Sequence, residues 1–245
     1  MVKIIGHRGA SEDAPENTLA SIREAFAQDA DGVEVDIRIT KDKRIVCVHD
    51  KDMQRTSGSP LVVAESKSRE LKKLDVGLWK GEDWGNEQIP LLEEVLEEIP
   101  TNKEIFIEIK TGREIIKPLI MELNNSNISF DNLSVISFKS EVIKIMKSEM
   151  EEIQANLLVA FDPELNLSDP LLPAMLKDIN ADGVGAQNHL NLNKKFIEEI
   201  KSLEKKVHVW TVNETEEAEK FYSLGINSIT TNKPKVIRRY LNRNK

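Results

Sequence analysis

IIGHRGASEDAPENTLASI, from Ile4 to Ile22, sets the reading of the whole chain. Two β-branched residues and a Gly read as the end of a buried strand. The stretch ENTLASIREAFAQD that follows carries the period of an amphipathic helix. The same strand-then-helix unit returns along the chain. GVEVDIRIT, EIFIEIK, LSVISF, ANLLVAF, DGVGAQ, VHVWTV and SITT read as further strands. PLLEEVLEEI, REIIKPLIMELNN, KSEVIKIMKSEM, PLLPAMLKDI, KKFIEEIKSLE, TEEAEKFYSLG and KPKVIRRYL read as the helices after them. Eight such units in 245 residues predict an α/β fold of the closed (β/α)8 kind, a TIM barrel, over a single domain spanning 1–245. No Gly-x-Gly-x-x-Gly follows the first strand, which weighs against an open dinucleotide-binding sheet.

One segment breaks the rhythm. After GVEVDIRIT the turn KDK leads straight into RIVCVHD, so the second strand doubles back as a hairpin. Residues 51–88 then show no clean period and hold Gly58, Gly77, Gly81, Gly85, Trp79 and Trp84. They are expected to form a small inserted cap, because loops of that length in a compact domain are functional or disordered and the two Trp favour order.

The net charge of −8 argues against a nucleic-acid partner. The basic end, Arg238 to Lys245, reads as the solvated end of a helix. Cys47 is the single cysteine, so no internal disulfide forms and nothing points to an oxidising compartment. No apolar run is long enough for a transmembrane segment and no signal-peptide pattern opens the chain, which makes a cytoplasmic location the default. The sequence carries no signal for an oligomeric state.

Active sites in such barrels lie at the C-terminal strand ends, and unusual polar residues gather there. The first strand ends in His7-Arg8. The second carries Glu34 and Asp36, two apart and so on one face. That face is the interior if Val33, Val35 and Ile37 pack against helices. The third ends in Glu108-Ile109-Lys110, the fourth in Ser137, and the seventh holds Trp210 with Asn213 beyond it. A hairpin turn near Asp42 sets His49 opposite Val35, beside Asp36. Three inward carboxylates need a counter-charge, and a hard divalent cation bound by oxygen supplies one. Arg8 and Lys110 near a metal point to an anionic substrate, with phosphate the best match for Arg. His189 and His208 fall in no such constellation.

GHRGASEDAPENTLASI, GVEVDIRITKDKRIVCVHD, RTSG, IPLLEEVL, FIEIK, VISF and VWTVN together resemble the successive motifs of glycerophosphodiester phosphodiesterases, from Ile4 to about Pro234. The resemblance implies a TIM barrel with an insertion, and metal-dependent hydrolysis of a small-molecule glycerophosphodiester to glycerol 3-phosphate and an alcohol. It implies His7 and His49 as general acid and base, and Glu34, Asp36 and Glu108 as ligands of Mg²⁺ or Ca²⁺. It also implies Arg8 and Lys110 as phosphate contacts, with Trp210 bordering the glycerol. Glu16-Asn17 would support the mouth, Asn17 by orienting a neighbour, and both also suit the first turn of a helix. Two positions depart from the family pattern: Leu91 stands where Thr is usual, and Asn232 where Asp is common. Neither is expected to touch the metal or the histidines.

Two rival readings are a related barrel phosphodiesterase acting on lysophospholipid or sphingomyelin headgroups, and a barrel that only binds phosphodiesters. A single cysteine disfavours the disulfide-bearing secreted toxins of the first kind. A mere binder has no need of two histidines.

Overall fold

The computed structural model describes residues 2–161 and 171–243. Its strands are β1 (Lys3–His7), β2 (Gly32–Ile39), β3 (Ile45–Cys47), β4 (Glu104–Ile109), β5 (Leu133–Ser137), β6 (Gln154–Val159), β7 (Gly183–Gln187), β8 (Lys206–Trp210) and β9 (Ser228–Thr231). All but β3 run parallel, and β1 pairs with both β2 and β9, which closes the sheet into an eight-stranded barrel. The outer ring is made of helices Leu19–Ala27, Leu92–Glu98, Ile116–Asn125, Ser140–Glu149, Leu171–Asp178, Lys194–Ser202, Thr215–Ser223 and Pro234–Arg243. The TIM barrel expected from the alternation is the fold observed. The predicted helix beginning at Pro170 has its first residue outside the described residues, as are Asn244 and Lys245 of the basic end.

Strand alternation decides what faces inward. Val33, Val35 and Ile37 are fully buried against Ile22, Leu92 and Val95 of the neighbouring helices. Period two then turns Glu34 and Asp36 to the interior. The hairpin follows the expected register: Ile37 lies opposite Cys47, and the Val48 N–H donates to the Asp36 carbonyl at 2.9 Å. Extending that register by two residues sets His49 opposite Val35.

The first helix starts later than its period suggests. Thr18 is its N-cap, accepting from the Ser21 N–H, and the helix begins at Leu19 rather than at Glu16. Glu16 and Asn17 instead belong to a turn that folds back on the end of β1. There the Asn17 N–H and the Ser21 hydroxyl both donate to the Arg8 carbonyl. Arg8 and Asn17 are both left-handed, at φ +55° and +58°, which costs about 1–2 kcal/mol each for a non-glycine residue. Gly9 sits between them at φ +79°, and a Cβ there would come within 2.5 Å of the Ser21 backbone. The turn therefore requires Gly, and it aims both functional side chains into the barrel mouth.

The insertion is ordered, but not by its tryptophans. Val46 and Val48 of the hairpin pack with Met53, Val63, Leu71, Val76 and Ile89 into an aliphatic core. Trp79 is 42 % exposed. The basic end also differs from expectation: Arg238 is buried, donating to the Asp29 carbonyl at 3.0 Å and to Asp31. No helix among the described residues is long and apolar enough to cross a membrane.

Candidate active site

The parallel register sets Asp36 beside Glu108 and His7 beside Glu34. Glu34, Asp36 and Glu108 are all buried, and each offers a carboxylate oxygen within 4.8 Å of the others. Burial, with the charges of Asp36 and Glu108, pushes Glu34 well above the ordinary glutamate range. Burial and Asp36 raise Glu108 as well. Burial acts upward on Asp36 too, but Arg8 and Lys110 outweigh it and hold that carboxyl low. Glu34 Oε1 and Asp36 Oδ1 are buried without a hydrogen-bond partner. Unsatisfied hard oxygens converging in this way fit a divalent cation.

Cations and amides hold the trio from behind. The Arg8 N–H donates to Glu34 at 2.9 Å, its Nη1 donates to Glu16 at 2.8 Å, and its Nε lies 3.1 Å from Asp36. Lys110 donates to Glu108 at 2.6 Å and lies 3.4 Å from Asp36. Asn17 orients Asp36, as expected of it: its Nδ2 donates to Oδ2 at 2.9 Å, and its Oδ1 accepts from the Asp36 N–H at 3.0 Å.

The two histidines have unlike partners. His49 Nδ1 meets Asp50 Oδ1 at 2.8 Å, and Arg38 grips the His49 carbonyl. His7 Nδ1 meets Asn232 Oδ1 at 2.7 Å. The Ser11 hydroxyl also donates to that oxygen, while Asn213 accepts from the Asn232 N–H. Asn232 therefore does touch a histidine, contrary to expectation. The two residues lie 225 positions apart and meet only because β9 closes on β1. Burial and the Arg8 charge bring His7 down to about 4. Its Nδ1 proton rests on a neutral amide, which turns the Nε2 lone pair toward the cavity.

That cavity is about 280 Å³. His7, Arg8, Glu34, His49, Glu108 and Lys110 line it together with the apolar Ile136, Phe138, Leu158 and Trp210. Trp210 donates its indole N–H to the Gly185 carbonyl at 2.8 Å and stands edge-on to Phe138, ring centres 5.5 Å apart. A larger cavity of about 480 Å³ opens at the N-terminal end of the barrel, but it holds neither the acid trio nor the histidine pair. Trp79 and Trp84 do not line the active cavity. The Trp79 ring lies 5.8 Å from both the Arg55 guanidinium and Lys80 Nζ, so its face meets the chain's own cations. Ser137 donates its hydroxyl to the Ile109 carbonyl at 3.0 Å, and Cys47 is free and buried.

His208, set aside in the sequence, sits inside the barrel two residues below Trp210, on the same face of β8. The alternation that found Glu34 and Asp36 also places it there. Its Nδ1 meets the Ser228 hydroxyl at 2.7 Å and its ring meets Phe106 edge-on. Burial first, then Lys206 and Lys3, lower it from 6.5 to about 3. The native state excludes a proton that the unfolded chain accepts, so stability is whole above 6.5 and drains as pH falls toward 3. The loss is expected to reach about 2 kcal/mol near pH 5. Melting curves across that window should slope less for His208→Gln; an identical slope would remove His208 as the cause. His189 stacks on Phe161, away from the site.

Fold and site together describe a barrel enzyme that works on a phosphate ester. The Glycerophosphoryl diester phosphodiesterase family matches residues 7–236. A glycerophosphodiester phosphodiesterase of Caldanaerobacter subterraneus subsp. tengcongensis is 30% identical over 239 residues, covering 96% of this chain and 95% of its own. A putative glycerophosphodiester phosphodiesterase of Bacillus subtilis is 32% identical over 238 residues, covering 96% of each chain. Among solved structures, an Oleispira antarctica phosphodiesterase in complex with the product sn-glycerol-3-phosphate superposes with a TM-score of 0.87. It is 27% identical and covers 98% of this chain and 96% of its own. The chain belongs to the glycerophosphodiester phosphodiesterase family and is an enzyme of that kind.

Proposed function

We propose that the protein hydrolyses glycerophosphodiesters such as glycerophosphocholine or glycerophosphoethanolamine to sn-glycerol 3-phosphate and the free alcohol, with the help of a divalent metal. The observation that carries this is the convergence of Glu34, Asp36 and Glu108 within 4.8 Å, with His7 and His49 lining the same cavity. A divalent ion held by the three carboxylates would supply Lewis-acid charge to the phosphoryl group and the glycerol hydroxyl. Arg8 and Lys110 would bind phosphate oxygens, and Trp210 would border the glycerol.

His7, with its Nε2 lone pair toward the cavity, suits the proton acceptor. It takes the proton of the glycerol 2-hydroxyl as that oxygen bonds to phosphorus. His49 donates a proton to the departing alcohol as the ester P–O bond breaks, and Asp50 offsets the positive charge the ring carries in that role. The cyclic phosphate is then opened by water with the two roles exchanged. Among the described residues, no Ser or Cys lines the cavity, which supports this route. A free, buried Cys47 supports a cytoplasmic setting. The apolar wall formed by Phe138 and Trp210 favours, as a second reading, a lysophospholipid whose chain lies along it.

The test is release of sn-glycerol 3-phosphate from glycerophosphocholine, with lysophosphatidylcholine in parallel. Chelation should abolish turnover and Mg²⁺ or Ca²⁺ should restore it. Full activity after exhaustive chelation, with no metal by elemental analysis, would end the metal reading. An analogue lacking only the 2-hydroxyl should not turn over. Hydrolysis of it at the natural rate would replace the cyclic route by direct attack of water.

A further inference from the structure

We propose that Arg55, from the RTSG stretch of the insertion, is a positioning residue that holds the phosphate-binding Arg8 and the imidazole of His49 at the same time; this rests on the roles given to those two residues above. Arg55 lies on a one-turn helix, Gln54–Ser57, which Gly58 closes in the left-handed conformation at φ +70° while Thr56 is buried. The turn leaves the guanidinium facing the barrel mouth. Its Nη1 and Nη2 donate to the two oxygens of Glu16 at 2.8 and 2.7 Å, and its Nε donates to Asp50 Oδ2 at 2.7 Å.

Both acids are shared with the site. Glu16 Oε1 also accepts from Arg8 Nη1, and Asp50 Oδ1 holds His49 Nδ1. One planar cation thus bridges the supports of two active-site residues that lie just beyond β1 and beyond β3. The electrostatics agree. Burial acts upward on Glu16, but the Arg55 hydrogen bonds and the Arg8 charge leave it low; Asp50 is low through Arg55 and His49 against its own burial. An ordinary exposed ion pair contributes little. This one differs in its geometry: three donors of a rigid fork meet three oxygens on two separate elements. Lysine offers a single point of charge and cannot make that bridge.

The experiment compares Arg55→Ala and Arg55→Lys with Glu16→Gln and Asp50→Asn, singly and combined. Displacement of a reacting group by about 1 Å costs on the order of 10²-fold. Arg55→Ala is accordingly expected to lower kcat about 10- to 100-fold with metal content unchanged. Arg55→Lys should recover little of that loss, and millimolar guanidinium should recover much of it. With Glu16→Gln and Asp50→Asn already in place, removing Arg55 should cost less than about twofold. The ring ¹⁵N signals of His49, one of only four histidines, should move in Arg55→Ala. Unchanged kcat and KM, or losses that simply add and resist guanidinium with the His49 signals unmoved, would overturn the proposal. Should Arg55→Ala fail to fold, Arg55→Lys decides: wild-type kcat in that variant overturns it. If the wild type does not cleave glycerophosphocholine but the His49 signals move, the functional reading fails and the positioning role stands.

Discussion

Glycerophosphocholine turnover by His7→Ala and by His49→Ala is expected to fall about 10²–10⁴-fold each, the usual contribution of a positioned acid or base. Metal binding should survive both changes, because no ring nitrogen belongs to the acid trio. The unlike partners of the two rings separate the variants further. Asn232 presents a neutral oxygen to His7 and Asp50 presents a carboxylate to His49, which fits His7 as acceptor and His49 as donor. A diester of glycerol phosphate with an acidic phenol needs little help in expelling its leaving group. His49→Ala should therefore cleave that substrate at close to the parental rate, while His7→Ala stays slow. The reverse pattern would exchange the two assignments, and two fully active variants would remove both residues from the chemistry.

Loss of one carboxylate should cost a comparable amount. Glu34→Gln and Asp36→Asn are expected to lower kcat/KM by about 10³-fold, the equivalent of several kcal/mol of lost charge stabilisation. The companion measurement is thermal unfolding. Glu34 stands buried among like charges, with one oxygen unsatisfied. A neutral Gln removes that repulsion, so metal-free Glu34→Gln should melt no lower than the metal-free parent. Added Mg²⁺ or Ca²⁺ should raise the Tm of the parent, because an ion that binds only the native state stabilises it. The variant should respond weakly. Equal ion binding by the parent and by variants at Glu34, Asp36 and Glu108 would show that the trio is not the metal site.

The barrel was legible because its signals are local and periodic. Eight alternations of strand and helix needed no long-range information, and a period of two turned Glu34, Asp36 and Glu108 inward before any contact was known. His208 obeys the same rule, but in the sequence it falls in no constellation that points to a role. The hairpin register was equally readable, since a turn at Asp42 leaves only one pairing for His49. What escaped was aperiodic. Asn232 reaches His7 across the closure of the barrel, and Arg55 reaches Glu16 and Asp50 from a one-turn helix with no repeating pattern. Their partners follow from how loops fold over the mouth. The early start given to the first helix has a similar origin. Glu16 and Asn17 suit a helical first turn by composition, but their contacts with Arg8, Arg55 and Asp36 draw them into a left-handed turn instead.

The meeting of β1 with β9 also has a temporal side. A chain made from its N-terminus folds as it emerges, and His7 and Arg8 precede every other residue of the site. The acid trio is complete once Glu108 has emerged. The acceptor for His7 Nδ1 is not, because Asn232 lies beyond the last strand. A ribosome-bound chain that has not yet released β9 can hold every residue assigned to proton transfer and metal binding and still lack a correctly turned imidazole. His7 is thus expected to find its acceptor only after β9 has joined β1.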